Sequence, residues 1–400
     1  MTAKKKVLAI SPIRTAPASS GPMTRISRLI SAFKLFDQEI YFAFVEIWTP
    51  GSDELTDEQW EGNYYKIPFD FSAKVKNKQQ KCKEKNTLIK LRSRLYHWLG
   101  FRDPLYNYQI DDWYCQETEK ALSELAKKIS PDIVIVEYVF LSWTLKIFDE
   151  KVVKIIDTHD VYADRIKTYS LKARPSKAFS TSPSEEIKGL NRADIILAIQ
   201  DKEQEYFSRI LSNKTVLTVG HLLEVNKPMI NKINNYKILF VGSPMAANVE
   251  GIKYFLNDVF PLVKKKFSQS EFIIVGSICN FIDDCESCLK LGVVENISEV
   301  YDMVDVVINP VIRGTGLAIK SIEALGYAKP FVATIPAGIR GLEEGVGKAF
   351  LASDTPEGFA DAIINIFTDI NLRNQLSENA YKFAQEWNKK SLKSLEKILG

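Results

Sequence analysis

The sequence predicts an α/β protein built of two doubly wound, Rossmann-like domains. Three observations predict it. The chain has 400 residues, more than one hydrophobic core usually organises. Short apolar runs alternate with helix-period segments along its length, the pattern of parallel sheets with helical crossovers. That alternation starts afresh after a polar stretch at 224–236, rich in Asn and carrying Pro228, which reads as a linker. The expected division is an N-terminal domain over 1–223, the linker over 224–236, a C-terminal domain over 237–380, and a final segment, 381–400, that packs back on the N-terminal domain.

Val7–Ile10 reads as a first strand entering a loop at Ser11-Pro12. Ile26, Leu29, Ile30 and Phe33 then fall at helical spacing, so 24–36 is the first helix. Further strands are expected at 40–45, 132–138, 152–156, 194–199 and 214–219. A helix over 116–129 stops at Ser130-Pro131. The second half repeats the opening: strand 237–241, loop 242–248, then a helix over 249–267 broken near Pro261. Strands follow at 271–275, 304–309 and 331–334, with a helix over 316–327 and a mostly helical tail over 356–399. Ligands of such sheets bind outside the carboxyl ends of the strands.

Hydrophobic residues make up 46% and charged residues 26%, a globular balance. The net charge of +3 carries no global signature of nucleic-acid binding. The apolar run at Val7–Ile10 is too short for a signal peptide, and no stretch reaches the roughly 18 apolar residues of a membrane span. A cytoplasmic protein is expected. Five cysteines are too few and too scattered for a disulfide scaffold. Cys279, Cys285 and Cys288 cluster, and Cys285 and Cys288 have the spacing of half a zinc site, but no fourth ligand lies near, so buried or half-buried thiols are expected and no metal.

The stretch from Asn309 to Leu325 is the richest in chemistry. Pro310 ends a strand, and Gly314 and Gly316 allow close approach of backbone to a ligand. The helix that follows opens with unpaired N–H groups that favour an anion. Gly316, Lys320 and Glu323 fall on one helical stripe. A diphosphate would sit on the loop amides, Arg313 and Lys320, both side chains facing solvent, while Glu323 would accept hydrogen bonds from ribose hydroxyls. The alternative is a plain glycine-bearing connection with a solvated Lys–Glu pair. Among the three histidines, His159 alone is flanked by two carboxylates, Asp157 and Asp160, at a strand end. It reads either as an active-site group or as a structural histidine bonded in its loop.

These residues resemble a known family, the GT-B-fold retaining glycosyltransferases of the family-4 type, also called glycosyltransferases group 1. The resemblance rests on 238–243 with Asn248, on Gly292–Asn296, on Arg313–Gly316 with Lys320 and Glu323–Leu325, and on 330–342. It implies two domains facing a central cleft, the N-terminal one binding acceptor and the C-terminal one binding a nucleoside-diphosphate sugar. It implies donor contacts from Gly21, Gly242, Ser243, Val293, Val294, Gly314, Thr315, Gly316 and Glu323. Catalytic roles would fall to His159, Arg313 and Lys320. The chain departs from the family at Thr315, where many members carry the first glutamate of a pair, and at Ser243 and Asn248, where many carry Arg and Lys.

The reaction implied is transfer of a sugar, with UDP as the default carrier, to a glycan or lipid-linked acceptor, as in bacterial surface polysaccharide synthesis. No cofactor is implied. The sequence lacks an Asp-x-Asp motif, so cations and a helix terminus would meet the leaving charge without a metal. Rival readings are a catalytically silent homologue that binds a partner and a GT-B-fold sugar-nucleotide epimerase. Nine cations between Lys74 and Arg94, followed by Trp98 and Phe101, mark 74–101 as a surface for anionic membrane or as a solvated loop.

Overall fold

A computed structural model describes residues 4–18, 20–48, 50–70, 108–165, 179–228 and 235–399. The basic and aromatic stretch at 74–101 and part of the 224–236 linker therefore lie outside the described residues. The chain divides into two compact units, Met1–Val219 and Gly220–Gly400.

The first unit is a seven-stranded parallel sheet in the order β3-β2-β1-β4-β5-β6-β7. The strands are β1 (Lys6–Ser11), β2 (Glu39–Val45), β3 (Tyr64–Ile67), β4 (Ile133–Glu137), β5 (Val153–Asp157), β6 (Ile195–Ala198) and β7 (Thr215–Thr218). Val7–Ile10 and Ile133–Val136 are fully buried, as strands covered on both faces must be. The first helix, Gly21–Lys34, starts three residues before the expected position 24, with Pro22 in its first turn, where the missing N–H costs nothing. The strand order reverses direction between β1 and β4, and at such a switch point the flanking loops part and leave room for a ligand.

The second unit is a six-stranded parallel sheet in the order β10-β9-β8-β11-β12-β13. Its strands are β8 (Lys237–Val241), β9 (Glu271–Val275), β10 (Cys288–Gly292), β11 (Val306–Asn309), β12 (Phe331–Thr334) and β13 (Leu351–Ser353). The core packs Phe240, Phe272 and Ile308 of the sheet with Phe255 of a helical turn and with Phe359 and Ile363 of the helix Pro356–Thr368. The expected helix over 249–267 starts earlier, at Ala246, and is split into Ala246–Tyr254 and Phe260–Lys266 by a π-helical turn at Phe255–Val259. Pro261 explains the break, since it has no N–H to continue the ladder. The last helix, Ile370–Leu399, holds the segment that opens the unit. Trp387 Nε1 donates to the His221 carbonyl at 2.8 Å, and Asn388 Nδ2 donates to that of Leu223 at 2.8 Å. The switch point falls between β8 and β11, so the loops at 242–245 and 310–318 flank it.

Cys285 and Cys288 are bonded to each other as a disulfide. This corrects the expectation of thiols there: the two Cα atoms stand 5.5 Å apart, inside the range a disulfide spans. Cys115 and Cys279 are buried and free.

Candidate functional site

In the first unit the chemistry gathers at the carboxyl ends of β4 and β5. Glu137 and Asp157 are register partners on these neighbouring strands, so their side chains point to one face. Arg25, from the buried side of the helix Gly21–Lys34, holds Asp157 with two hydrogen bonds, 2.9 Å from Nε and 2.5 Å from Nη2. Its Nη2 also donates to the Val219 carbonyl at 3.1 Å. His159 Nε2 stands 2.6 Å from Glu137 and 3.2 Å from Asp157. The Tyr138 ring stacks on the imidazole at 3.9 Å with 13° between planes.

Two strained residues build this arrangement. Tyr138 has φ of 70° and His159 has φ of 60°, a left-handed conformation worth about 1–3 kcal/mol for each non-glycine residue. The strain turns each chain sharply at its strand end and lays the two rings face to face. Burial lowers the pKa of His159 to about 4, Asp157 opposing and Arg25 assisting. Burial also pushes Glu137 well above the usual carboxylate range, and the Asp157 charge adds to it.

The expected flanking of His159 by two aspartates holds for one of them. Asp157 is close, but Asp160 turns away, accepting from the Val161 amide at 2.9 Å and pairing with Arg165 at 3.1 Å. The nearer partner of the ring, Glu137, comes from a different strand, 22 residues away in sequence. Among the described residues, Glu137, Asp157 and His159 are the one group of three acidic or imidazole side chains whose ligand atoms all lie within 4.8 Å of one another. Arg25 already occupies both oxygens of Asp157. The cluster is a charge network, and we do not read it as a set of metal ligands. Trp48 adds an aromatic edge, 5.7 Å from Tyr138 and 5.5 Å from Phe140.

In the second unit Gly242, Ser243, Gly314, Thr315 and Gly316 lie in the loops that flank the switch point, while Val293 and Val294 follow the edge strand β10. The Lys320 chain lies across the end of β8: a Cβ on Gly242 would stand 3.2 Å from its Cε. Gly276, with φ of 104°, ends β9 so close to β8 that a Cβ would meet the Gly242 carbonyl at 2.2 Å, so only glycine fits there. Asn248 is buried and donates to the Ser243 carbonyl at 2.8 Å, folding the 242–245 loop back on itself. Val293 and Val294 follow the end of β10, and Val293 is 72% exposed.

The loop after β11 departs from expectation in two ways. The helix starts at Ile319, not at Gly316. Gly316 has φ of 69° and belongs to the loop, so it does not share a helical stripe with Lys320 and Glu323; three residues of turn are needed before the backbone can wind. Ala318 caps the helix without a side-chain hydrogen bond; the Ile319 and Ser321 amides donate to the Leu317 and Ala318 carbonyls, and the Lys320 amide is the first-turn donor left for another acceptor. The second departure is Lys320. It was expected to face solvent like Arg313, but it is half-buried, and burial pulls its amine below the usual value while Glu323 opposes. Arg313 does face solvent and pairs with Glu250. Arg340, which the sequence did not single out, brings its guanidinium to 3.8 Å from where a Cβ on Gly314 would lie. Beneath the loop, Asn309 donates to Ser321 at 2.9 Å, and Ser321 to the Gly338 carbonyl at 2.5 Å. These bonds tie β11 to the helix start. Glu323 lies 3.4 Å from His221. Gly21 is the first residue of its helix.

Residues 235–369 match the family described as Glycosyl transferases group 1. All the second-unit candidates fall inside that stretch. A curated relative, an uncharacterized 44.6 kDa protein in the cps region of Klebsiella pneumoniae, is 26% identical over 167 residues, 38% of this chain and 43% of that protein. The match thus spans under half of the relative's length. Among solved structures, a sucrose-phosphate synthase from Thermosynechococcus elongatus superposes with a TM-score of 0.66 at 13% identity, covering 99% of both chains. The pneumococcal O-GlcNAc transferase GtfA, solved with UDP and GlcNAc, gives 0.65 at 10% identity over 98% of both. TarM gives 0.64 at 13% identity over 99% of this chain and 98% of that one. The fold is therefore the α/β fold of GT-B structures, with two parallel-sheet Rossmann-like units. No helix among the described residues is long and apolar enough to cross a membrane.

Proposed function

We propose that this chain is a glycosyltransferase that moves a sugar from a nucleoside-diphosphate sugar to a glycan or lipid-linked acceptor. The observation that carries the reading is the β8/β11 switch point. Lys320 lies over Gly242 there, beside a helix start with no side-chain cap and inside the stretch that matches the family. Amides and cations so placed stabilise a departing diphosphate. Arg313, exposed at the loop tip, supplies a second charge, and Glu323 takes the ribose hydroxyls. Gly314, Thr315 and Gly316 approach the phosphates, with Gly242, Ser243, Val293 and Val294 along the same strand ends. Gly21 and His159 serve from the first unit, His159 positioning the sugar.

We further propose that the reaction retains configuration and needs no metal, the cations meeting the leaving charge. The carrier is taken as UDP, which GtfA binds in its structure. A role in polysaccharide synthesis is supported by the cps-region location in the relative's description. Membrane association through 74–101 and a cytoplasmic location remain part of this proposal. Incubation with radiolabelled sugar nucleotides tests it. Slow hydrolysis or transfer supports a transferase, an epimeric product would make the chain an epimerase, and no turnover with intact diphosphate binding would make it a silent binder.

A further inference from the structure

We infer that Glu137 is a positioning residue for His159: it shares one proton with Asp157, and together they fix the imidazole with its hydrogen on Nε2, leaving Nδ1 as a bare acceptor. The inference rests on the transferase reading only for what Nδ1 then serves.

The charge balance comes first. Glu137 and Asp157 are 0% exposed at their side chains and Arg25 is 1% exposed. The groups facing the ring are Glu137 and Tyr138 from the end of β4, Asp157 from β5, and Arg25 from the helix Gly21–Lys34. One cation is set against two acids. Arg25 gives two hydrogen bonds to Asp157; on Glu137 it acts through its charge, which opposes the upward push of burial without overcoming it. A second buried carboxylate without its own cation would carry a heavy desolvation penalty, so Glu137 keeps its proton. Its Oε1 has no other hydrogen-bond partner, Asp157 is its register partner on the next strand, and a hydrogen bond to that carboxylate adds to the upward push on Glu137.

The tautomer follows from geometry. His159 Nε2 faces two carboxyl oxygens, at 2.6 Å and 3.2 Å. A bare nitrogen lone pair there would meet oxygen lone pairs on both sides, one of them anionic. An Nε2–H attracts both. The depressed basicity of the buried ring keeps it neutral, so Nδ1 carries no hydrogen. Stacking on Tyr138 at 3.9 Å fixes the ring plane and hence the direction of the Nδ1 lone pair, while the ring's hydrogen bond and ion pairs among the described residues are made at Nε2. An acceptor in that place takes a hydrogen bond from a sugar or acceptor hydroxyl.

An amide is the isostere of a protonated carboxyl here. In Glu137→Gln the amide oxygen accepts from Nε2–H and the NH2 donates to Asp157. Leucine can do neither. The test reads the imidazole nitrogens of the full chain by 15N–1H correlation, assigning the three histidines with His159→Asn. The expected result is hydrogen on Nε2 alone at pH 7 in both wild type and Glu137→Gln. Hydrogen on Nδ1, or on both nitrogens, overturns the inference. In turnover, Glu137→Gln should stay within about three-fold of wild type and lose the alkaline fall of kcat, because an amide has no proton to give up. Glu137→Leu, where it folds, should lose kcat at least about ten-fold with KM for the donor unchanged. A Glu137→Gln variant that turns over as poorly as Glu137→Leu, or keeps the wild-type alkaline limb, also overturns it. A wild-type chain that turns over no sugar nucleotide would sink the proposed function, while the nitrogen spectra would still decide the tautomer.

Discussion

In the first unit the arginine of the candidate site, Arg25, is 1% exposed and its partner Asp157 0%. In the second, Arg313 is 55% exposed and its partner Glu250 39%. The same chemical pair thus does different work. A sealed pair fixes geometry, because its loss strands a charge away from water. An exposed pair costs little to part, which is what the proposed phosphate role of Arg313 requires of its pair with Glu250. Lys320 lies between these limits: half-buried, lowered in basicity and held across Gly242. On the proposed function, a diphosphate beside it would add to the Glu323 charge that opposes the effect of burial.

The comparison breaks most sharply at Arg25. Arg25→Ala leaves Asp157 buried with no cation and should destabilise the first unit by about 3–5 kcal/mol, read as a lowered denaturant midpoint. Arg313→Ala should leave that midpoint unmoved. Equal midpoints for both variants would erase the distinction between the sites.

The sealed character of the first unit also predicts a pH dependence. Burial raises Glu186 to about 7 and Glu203 to about 8. The folded state then holds protons that the unfolded chain releases near pH 4.5, so stability falls as pH rises. The stabilisation is complete below about pH 4.5 and is lost through about pH 7–8. Melting curves between pH 5 and 9 should show this decline, and Glu203→Gln should flatten its upper part. A wild-type chain whose melting is flat over that range would refute the burial argument.

His159→Ala should lower turnover by about a hundred-fold while leaving nucleoside-diphosphate affinity nearly intact, since the proposed phosphate contacts all lie in the second unit. A structural histidine would instead disturb melting and leave turnover in the folded fraction unchanged. A variant that melts normally and transfers sugar at the wild-type rate would remove His159 from the site. Next in size come Arg313→Ala and Lys320→Ala. Charge-assisted hydrogen bonds are worth about 1.5–3 kcal/mol, so each should weaken diphosphate binding roughly ten- to hundred-fold. Unchanged affinity by calorimetry in both would take the phosphate away from this loop.

How far the sequence could be read differs between the units for a physical reason. The strands at Val7–Ile10 and Ile133–Val136 were legible because burial on both faces demands continuous apolar runs. β10 and β13 were not, being short and half-buried, without periodicity to mark them. Lys320, Glu323 and Gly316 could be singled out as candidates because loop and helix are contiguous in the chain, although the helix start was placed three residues early. The network around His159 was not legible. Glu137 meets Asp157 only through strand pairing, and Arg25 arrives from 132 residues away. The one usable signal was an acid closing an otherwise apolar strand, Ile133–Glu137, where a buried carboxylate needs a partner. Arg340 escaped notice because nothing local links it to Gly314.

The smallest expected effect belongs to Glu323. Its side chain is 26% exposed and stands 3.4 Å from His221, so it is neither sealed like Asp157 nor open like Glu250. Two ribose hydroxyls would each donate to the carboxylate. In Glu323→Gln one of the two oxygens becomes an NH2 that cannot accept. Losing part of one hydrogen bond to a charged group costs about 1 kcal/mol, about a five-fold weakening of nucleoside-diphosphate binding. Pyrophosphate carries no ribose, so its affinity should change far less in the same variant. The difference between the two ligands is the measurement, because a general disturbance of the helix Ile319–Gly326 would weaken both alike. Equal losses for nucleoside diphosphate and pyrophosphate would take Glu323 off the ribose.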